Sequence, residues 1–320
     1  MNPKEKGKVL VTGGAGFLGS RIVRRLLSLK LEVVVFDSQA GPFDAEFFGP
    51  EPLPGRFSHI QGSVLDSEAV GSAMEGVTSV FHCAAEKIRT ARMEEVNVEG
   101  TRIVFEAARA SRVTFFCLLS SVGVTGKTDA KVVDEQMPCH PMTVYEETKL
   151  KAEEIVAKGI DGARTLVLRP TNLFGEEFVR HFLTAGWPFR LKYWIKGRER
   201  AHLVYVEDAA AVAVFFLQHL PSARCETFIV SSDAEAGNTF RGVRATLRSL
   251  QEHRSIPIKG LQPPIQLPWL LRRFRHGETN LGDIVYSSHR LFSTGFRMPF
   301  GLKQGLADAL ARLEAKGSIG

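Results

Sequence analysis

The chain has few cysteines. Its 320 residues include only Cys83, Cys117, Cys139 and Cys225, and no two of them form a Cys-x-x-Cys pair. Disulfide frameworks and thiolate zinc sites need closely spaced cysteines, so neither is predicted. We expect free thiols in a reducing compartment. No cluster of His, Cys and Asp suggests a metal site either.

Long apolar runs are also absent. No stretch approaches the roughly 20 apolar residues that cross a bilayer. Residues 2–8 are polar and basic and lead directly into an apolar run, unlike a secretory signal peptide. We therefore expect a cytoplasmic protein. One segment, Leu267–His276, mixes apolar and basic residues as membrane-surface helices do. A solvated helix is the favoured interpretation, so membrane-surface contact is not expected.

The charge balance is mildly basic. The chain has 41 Lys and Arg against 35 Asp and Glu, a net charge of +6. These basic residues are scattered and do not form a patch with interleaved aromatics, so nucleic acid is not a predicted partner. A phosphorylated small molecule or an anionic surface fits the charge equally well.

A glycine turn near the start of the chain is its most informative feature. Within residues 9–20, a short apolar run meets Gly13, Gly16 and Gly19, and an amphipathic run begins at Phe17. This pattern predicts a strand, a turn and a helix. In dinucleotide sites such glycines let the backbone approach the pyrophosphate, and the helix N-terminus attracts anions.

The rest of the first half predicts the fold class. A second apolar strand, Glu32–Phe36, ends in Asp37, which can accept hydrogen bonds from an adenosine ribose. Strand-like and helix-like segments then alternate, which predicts an α/β, doubly wound parallel sheet of Rossmann type. We assign residues 1–175 to this dinucleotide-binding domain. Residues 176–320 are expected mainly to form a smaller C-terminal substrate lobe, with segments around 203–220 returning to the Rossmann domain.

Two segments could carry proton chemistry. Tyr145 and Lys149 lie four residues apart on a predicted helix over 144–157 and so share a face. A lysine cation would lower the pKa of the phenol from near 10, which would let Tyr145 exchange a proton with a substrate. The alternative is an ordinary solvated helix face. Ser121 follows an apolar strand and could orient the substrate oxygen, whereas Ser120 is expected to bond the backbone.

Seven short segments carry a family resemblance. They are Thr12–Gly19, Phe81–Ala85, Asn97–Thr101, Ser120–Ser121, Tyr145-x-x-x-Lys149, Arg169–Gly175 and Val206–Ala209. In this order they resemble extended short-chain dehydrogenases/reductases, and the chain is identified as a member of the NAD-dependent epimerase/dehydratase family, similar to nucleotide-sugar epimerases. The resemblance covers roughly the first two-thirds of the chain.

The resemblance implies site residues and partners. Ser121, Tyr145 and Lys149 would be catalytic in an NAD-dependent enzyme. NADP is disfavoured because no arginine directly follows Asp37. A homodimer is implied as well. The expected cofactor contacts are Gly13, Gly16, Phe17, Leu18, Asp37, Ser63, Val64, Ala84, Ala85, Asn97 and Lys149. Ser63 is uncharged where family members often carry aspartate.

The resemblance also narrows the reaction. Val122 and Gly123 stand where family dehydratases and decarboxylases carry acids, so hydride transfer at a carbinol or ketone carbon remains. The favoured hypothesis is epimerisation of a nucleotide sugar with Tyr145 as acid and base. The alternative is an NAD(P)-dependent reductase or dehydrogenase of a non-nucleotide alcohol or ketone, similar to hydroxysteroid or dihydroflavonol reductases. The expected substrate contacts are Asn172, Arg198 and Arg200.

Overall fold

The computed structural model describes residues 7–317, except 42, 49–52, 220–223, 252–264, 267–269 and 271–281. The segment Leu267–His276 therefore lies, apart from Leu270, outside the described residues. Within the described part, no helix is both long and apolar enough to span a bilayer. The chain divides into two compact units. The first comprises Met1–Gly126, Cys139–Arg169 and Ala209–Phe228, and the second comprises Lys127–Pro138, Pro170–Asp208 and Ile229–Gly320.

Short strands occur along the whole chain. In chain order the described strands are β1 (Lys8–Thr12), β2 (Glu32–Asp37), β3 (Arg56–Gln61), β4 (Val77–His82), β5 (Phe115–Leu119), β6 (Val132–Val133), β7 (Arg164–Pro170), β8 (Asn172–Phe174), β9 (Leu203–Tyr205), β10 (Cys225–Val230) and β11 (Val285–Tyr286).

Seven of these strands form one sheet in the order β10-β7-β5-β4-β1-β2-β3. The neighbouring pairs from β3 to β7 are parallel. Because the strands are parallel, the carboxyl ends of β1, β2, β4 and β5 lie on one edge of the sheet. The strand order reverses between β1 and β4, as in Rossmann-type sheets. The predicted doubly wound fold is confirmed. Two further parallel pairs, β6 with β11 and β8 with β9, lie in the second unit.

Helices alternate with the strands. The described helices with assigned bounds are α1 (Phe17–Ser28), α2 (Ala45–Phe48), α3 (Ser67–Ala73), α4 (Thr90–Met93), α5 (Gly100–Ala110), α6 (Val144–Ala157), α7 (Glu176–Thr184), α8 (Trp187–Ile195), α9 (Val206–Gln218), α10 (Phe240–Leu250), α11 (His289–Ser293) and α12 (Gly301–Ala315). A π-helical segment, Glu94–Glu99, joins α4 to α5, and a 3-10 turn, Val122–Thr125, follows β5.

Local chemistry explains where α6 begins. The Thr143 hydroxyl accepts a hydrogen bond from the Glu146 amide, and the Glu146 carboxylate accepts one from the Thr143 amide at 3.0 Å. This capping box satisfies amides that have no partner inside the helix. By contrast, the single helix that periodicity predicts from about Met93 to Ala110 is interrupted by the π-helical segment.

Each unit has an apolar core. In the first, buried side chains from sheet and helices pack together, including Leu10, Val34, Phe105, Phe116 and Val156. Burying one such side chain contributes about 1.5–3 kcal/mol. In the second unit, α12 approaches β9 so closely that a Cβ on Gly305 would lie 2.7 Å from the Tyr205 ring.

The four cysteines are free thiols. Cys117 is buried in β5, and Cys83, Cys139 and Cys225 are partly buried. Cys83 follows the last residue of β4, so it lies at the edge of the sheet.

Candidate active site

The glycine turn between β1 and α1 is tightly packed. Gly13 has a φ of +66°, and a Cβ there would lie 2.6 Å from the Ala84 amide nitrogen. A Cβ on Gly19 would lie 2.2 Å from the Gly13 carbonyl oxygen. Gly16 caps α1 without a side-chain bond, and the first turn of this helix carries no acid. The exposed turn therefore offers free amides to an anion such as a pyrophosphate.

Asp37 braces this turn from the end of β2. Its carboxylate accepts a 3.0 Å hydrogen bond from the Ala15 amide and another 3.0 Å bond from the Gln39 amide. The carboxylate is thus held next to the glycine turn and remains partly exposed. A ribose hydroxyl suits its remaining lone pairs, whereas a 2′-phosphate would face its negative charge.

Other predicted cofactor residues lie at the same edge. Ala84 and Ala85 follow β4, and Ser63 and Val64 follow β3. The Ser63 hydroxyl accepts a 3.2 Å hydrogen bond from the Leu65 amide. The Val64 side chain is buried in the core of the first unit, so only its main chain is available to a cofactor.

Asn97 connects the segment after β4 to α6. Its side-chain oxygen accepts a 2.7 Å bond from the Glu86 amide, and its side-chain nitrogen donates to the Glu86 carbonyl at 2.9 Å. The same nitrogen donates to the Thr148 hydroxyl at 3.0 Å. Because Thr148 precedes Lys149, Asn97 positions the helix that carries the predicted catalytic pair.

His82 forms a buried relay that the sequence analysis missed. Its Nδ1 lies 2.7 Å from the Thr12 hydroxyl and its Nε2 lies 3.0 Å from the Thr101 hydroxyl. The Thr101 hydroxyl donates to the Asn97 carbonyl at 2.6 Å, so it accepts from His82 Nε2–H, and Nδ1 accepts from Thr12. Burial lowers the pKa of His82 to about 3, which keeps the ring neutral.

Lys149 reaches the end of β5. Its side chain is buried, and Nζ donates a 2.5 Å hydrogen bond to the Leu119 carbonyl. Burial lowers the pKa of Lys149 to about 8, although the nearby Glu153 carboxylate opposes the shift. The bond attaches α6 to the strand that leads into Ser121.

Ser121 lies two residues after Leu119 in the chain, and Tyr145 lies four residues before Lys149 on α6. The Ser121 hydroxyl caps the 3-10 turn by accepting from the Gly123 amide at 3.1 Å. A Cβ on Gly123 would lie 3.0 Å from the Glu146 side chain, so this turn packs against the first turn of α6. The predicted lowering of the Tyr145 pKa by Lys149 is wrong, because partial burial raises that pKa. The phenol is therefore protonated at neutral pH.

A second buried ionic group lies beside these residues. Arg169 donates to the Glu153 carboxylate through Nε at 3.0 Å and through Nη2 at 2.6 Å. The Ser120 hydroxyl donates to the same carboxylate and not to the backbone, which corrects the expectation for this serine. The spacing of Glu153, four residues after Lys149 on one helix face, is the signal that could have indicated it.

The predicted substrate contacts all lie in the second unit. Asn172 is exposed and donates from its side chain to the Ala201 carbonyl at 3.1 Å. Arg198 is exposed. Arg200 donates through one guanidinium nitrogen to the Asp233 and Glu235 carbonyls at 2.9 and 3.3 Å. No substrate contact tests these assignments, which stay predictions.

The sheet edge of the first unit fits a dinucleotide. Phosphate and ribose groups could bind to free amides at the start of α1, to the Asp37 carboxylate and to the buried Lys149 ammonium. The absence of side chains at the glycines leaves room for the pyrophosphate next to the turn. Among the described residues, no group of three or more His, Cys, Asp and Glu side chains could hold a metal ion.

The sequence matches the model of the NAD dependent epimerase/dehydratase family over residues 9–230. The chain belongs to this family. This membership confirms the predicted resemblance to the family. The matched region contains the glycine turn, Asp37, Ser121, Tyr145 and Lys149.

Two curated proteins that resemble this chain are hydroxysteroid dehydrogenases. A 3-beta-hydroxysteroid dehydrogenase of Mycolicibacterium neoaurum is 33% identical over 187 residues, which are 53% of this chain and 48% of that protein. A 3 beta-hydroxysteroid dehydrogenase/Delta 5-->4-isomerase of Mycobacterium tuberculosis is 29% identical over 270 residues, 77% of this chain and 70% of that protein. The match thus covers about half the length of the first relative.

Solved structures share the fold over nearly the whole chain. The Bordetella bronchiseptica enzyme WbmG in complex with NAD has a TM-score of 0.74 at 22% identity, covering 99% of this chain and 97% of that one. The Thermus thermophilus UDP-glucose 4-epimerase complex with NAD has a TM-score of 0.68 at 23% identity, covering 96% and 99%. At these identities the likeness is one of fold.

Proposed function

We propose that this protein is an NAD-dependent dehydrogenase or reductase that acts at a secondary alcohol or ketone carbon of an apolar substrate of the 3β-hydroxysteroid kind. The observation that carries the chemistry is the 2.5 Å bond from Lys149 to the Leu119 carbonyl. It attaches the Tyr145 helix to the end of β5, two residues before Ser121, at the edge where the glycine turn also lies.

Each residue has a distinct task in this proposal. NAD, when bound, takes up or returns the hydride. The Ser121 hydroxyl hydrogen-bonds the substrate oxygen and stabilises its developing charge. The Tyr145 phenol gives its proton to that oxygen in reduction, and the resulting phenolate takes a proton back from the alcohol in oxidation. Because burial raises the Tyr145 pKa, oxidation is favoured at alkaline pH. Lys149 holds the nicotinamide ribose.

Two observations favour an apolar alcohol over a nucleotide sugar. The curated relatives at 33% and 29% identity are hydroxysteroid dehydrogenases. Arg200, which the epimerase hypothesis assigns to a diphosphate, already donates one of its guanidinium nitrogens to two main-chain carbonyls. Its capacity for a bidentate phosphate contact is therefore reduced.

Nucleotide-sugar epimerisation is the second candidate. Arg198 is exposed and could bind a diphosphate, and the fold matches a UDP-glucose 4-epimerase over nearly the whole chain. An epimerase returns the hydride to the other face of the same carbon, so it retains its cofactor, whereas a dehydrogenase releases the reduced cofactor in every turnover.

The test separates these two outcomes. We expect purified protein to reduce added NAD in the presence of a 3β-hydroxysteroid, detected by absorbance of the reduced cofactor. Denaturing the purified protein should release no UDP or dTDP species detectable by mass spectrometry. Conversion of UDP-glucose to its 4-epimer, together with retained NAD and nucleotide, would refute the dehydrogenase proposal. Absence of NAD from the purified protein, together with no binding of added NAD by calorimetry, would refute both candidates.

A further inference from the structure

One side of helix α8 carries four apolar side chains, of which two are exposed, while the Trp194 indole nitrogen is buried. Trp187, Leu191, Trp194 and Ile195 stand at positions i, i+4, i+7 and i+8, which fall on one side of a helix with 3.6 residues per turn. Trp187 is 74% exposed and Leu191 is 40% exposed. Trp194 and Ile195 are partly exposed, and the helix has no buried residue.

The opposite side of α8 attaches it to the second unit. Tyr193 stacks on Phe182 with ring centroids 5.0 Å apart, and lies 5.1 Å from the Phe240 ring. Phe189 contacts the His181 ring edge-on at 4.6 Å. These aromatic contacts attach α8 to the second unit, although the Phe189 side chain is itself 39% exposed. We call Trp187, Leu191, Trp194 and Ile195 the α8 face.

Positive charge surrounds the α8 face. Arg190 and Lys192 lie on its two flanks by helical position. Residues 178–198 contain no Asp or Glu but five cations, Arg180, Arg190, Lys192, Lys196 and Arg198. Lys196 pairs with Glu199 at 3.5 Å, and Arg180 pairs with Glu177. Arg190 donates through Nε to the Ala185 carbonyl at 3.0 Å, and Lys192 Nζ lies 5.4 Å from the centre of the Phe189 ring. Lys192 and Arg198 are exposed, and Arg190 is partly exposed.

We propose that the α8 face docks on a lipid surface that carries anionic headgroups. A short helix with exposed Trp and Leu and flanking cations has the composition of an interfacial membrane helix. Its cations complement acidic headgroups. The inference rests on the exposed side chains and cations of α8 and is independent of the proposed function.

Other occupants fit the α8 face less well. In a two-fold dimer the same patch meets itself, so Arg190 and Lys192 would be brought close to their own copies. Single-stranded nucleic acid stacks on aromatic rings. Here Tyr193 is already stacked on Phe182 and Phe189 already contacts His181 edge-on, and Leu191 and Ile195 give the other side an aliphatic surface. This segment is separate from Leu267–His276, for which the sequence favours a solvated helix.

The test is co-sedimentation of the full chain with vesicles of phosphatidylcholine alone or mixed with phosphatidylserine. We expect binding to the mixed vesicles that weakens at high salt and is much weaker on phosphatidylcholine. Trp187→Ser/Leu191→Ser should lower the partition coefficient at least tenfold. Lys192→Gln should lower it roughly fivefold at low salt. Ile88→Ser, at an apolar side chain that is 80% exposed in the first unit, is the matched control and should bind as the unchanged protein does.

Three results would overturn the proposal. The first is no binding to mixed vesicles, and the second is an equal loss for Ile88→Ser. The third is evidence for a different occupant. Trp187→Ser/Leu191→Ser would then convert a dimer to a monomer in gel filtration, or would abolish binding of a fluorescent single-stranded oligonucleotide. Circular dichroism of each variant establishes that a loss of binding is not a loss of fold.

Discussion

Glu153 and Arg169 form a buried bidentate ion pair, with side chains that are 9% and 8% exposed. The pair joins α6 to β7 inside the first unit, and the Ser120 hydroxyl completes the carboxylate's contacts. Such a pair is costly to desolvate, so its net stabilisation is small. Breaking it is expensive, because one charge is left buried without a partner. The pair lies close to the predicted catalytic residues, because Ser120 precedes Ser121 and the Glu153 carboxylate lies near Lys149.

The first prediction concerns this ion pair. Arg169→Met should lower the free energy of unfolding by about 3–5 kcal/mol, because the Glu153 carboxylate is left buried and unpaired. The double variant Glu153→Leu/Arg169→Met should lose less than Arg169→Met alone. Urea unfolding followed by circular dichroism measures both. A single variant within about 1 kcal/mol of the unchanged protein, in the range of an exposed pair, would contradict the argument.

The second prediction concerns His82 and acid stability. The unfolded chain protonates His82 with a pKa near 6.5, whereas the folded chain does so only near 3. Between these values the unfolded state binds more protons, so stability falls as pH falls, by about 1.4 kcal/mol per pH unit at most. His82→Gln keeps hydrogen-bonding groups but does not titrate. The stability difference between the two proteins should change between pH 6 and pH 4, and parallel curves would refute the assignment.

Lys149 gives a third prediction, at alkaline pH. Its folded pKa is about 8 and its ordinary value is 10.5, so burial of the charged form penalises the folded state below pH 8. The penalty is relieved as pH rises, since the folded chain loses the proton first. The stability of the unchanged protein relative to Lys149→Met should therefore rise from pH 8 to pH 10. Urea midpoints at each pH measure this difference, and a constant difference would show that the lysine is not desolvated.

A fourth prediction concerns proton transfer. Tyr145→Phe should reduce kcat by about 10²–10⁴-fold, because the substrate oxygen loses its proton donor. NAD affinity, measured by calorimetry, should stay within a few-fold. Tyr193→Phe, a stacked tyrosine of the second unit, is the matched control and should retain activity. Turnover by Tyr145→Phe at the rate of this control would remove Tyr145 from the mechanism.

The fifth prediction compares two glycines. Gly19→Ala places a Cβ 2.2 Å from the Gly13 carbonyl oxygen and so must displace the glycine turn. We expect at least a tenfold loss of NAD affinity, because the loop backbone shapes the pyrophosphate site. Gly71→Ala in α3 meets no atom within 4 Å and should be neutral or stabilising by up to about 1 kcal/mol. Equal NAD affinity of the two variants would contradict the role of the turn.

Local patterns predict part of the site well. The glycine spacing predicts the β1 strand, the turn and α1, and the start of α6 follows from Thr143 and Glu146. These features depend on residues within a few positions of each other. The His82 relay and the Glu153 pair join residues 16 to 70 positions apart, so local periodicity does not identify their partners, although the i, i+4 spacing of Lys149 and Glu153 places both on one helix face.

The sequence by itself determined the family, the dinucleotide turn and the positions of Ser121, Tyr145 and Lys149, because each depends on short motifs in a fixed order. Tertiary structure alone decided that β10 joins the main sheet, that burial raises the Tyr145 pKa, and that Arg200 is occupied by main-chain carbonyls. It also decided that Trp187 and Leu191 of the α8 face stay exposed. These properties arise from packing between distant segments, which sets desolvation and hydrogen-bond partners for each side chain.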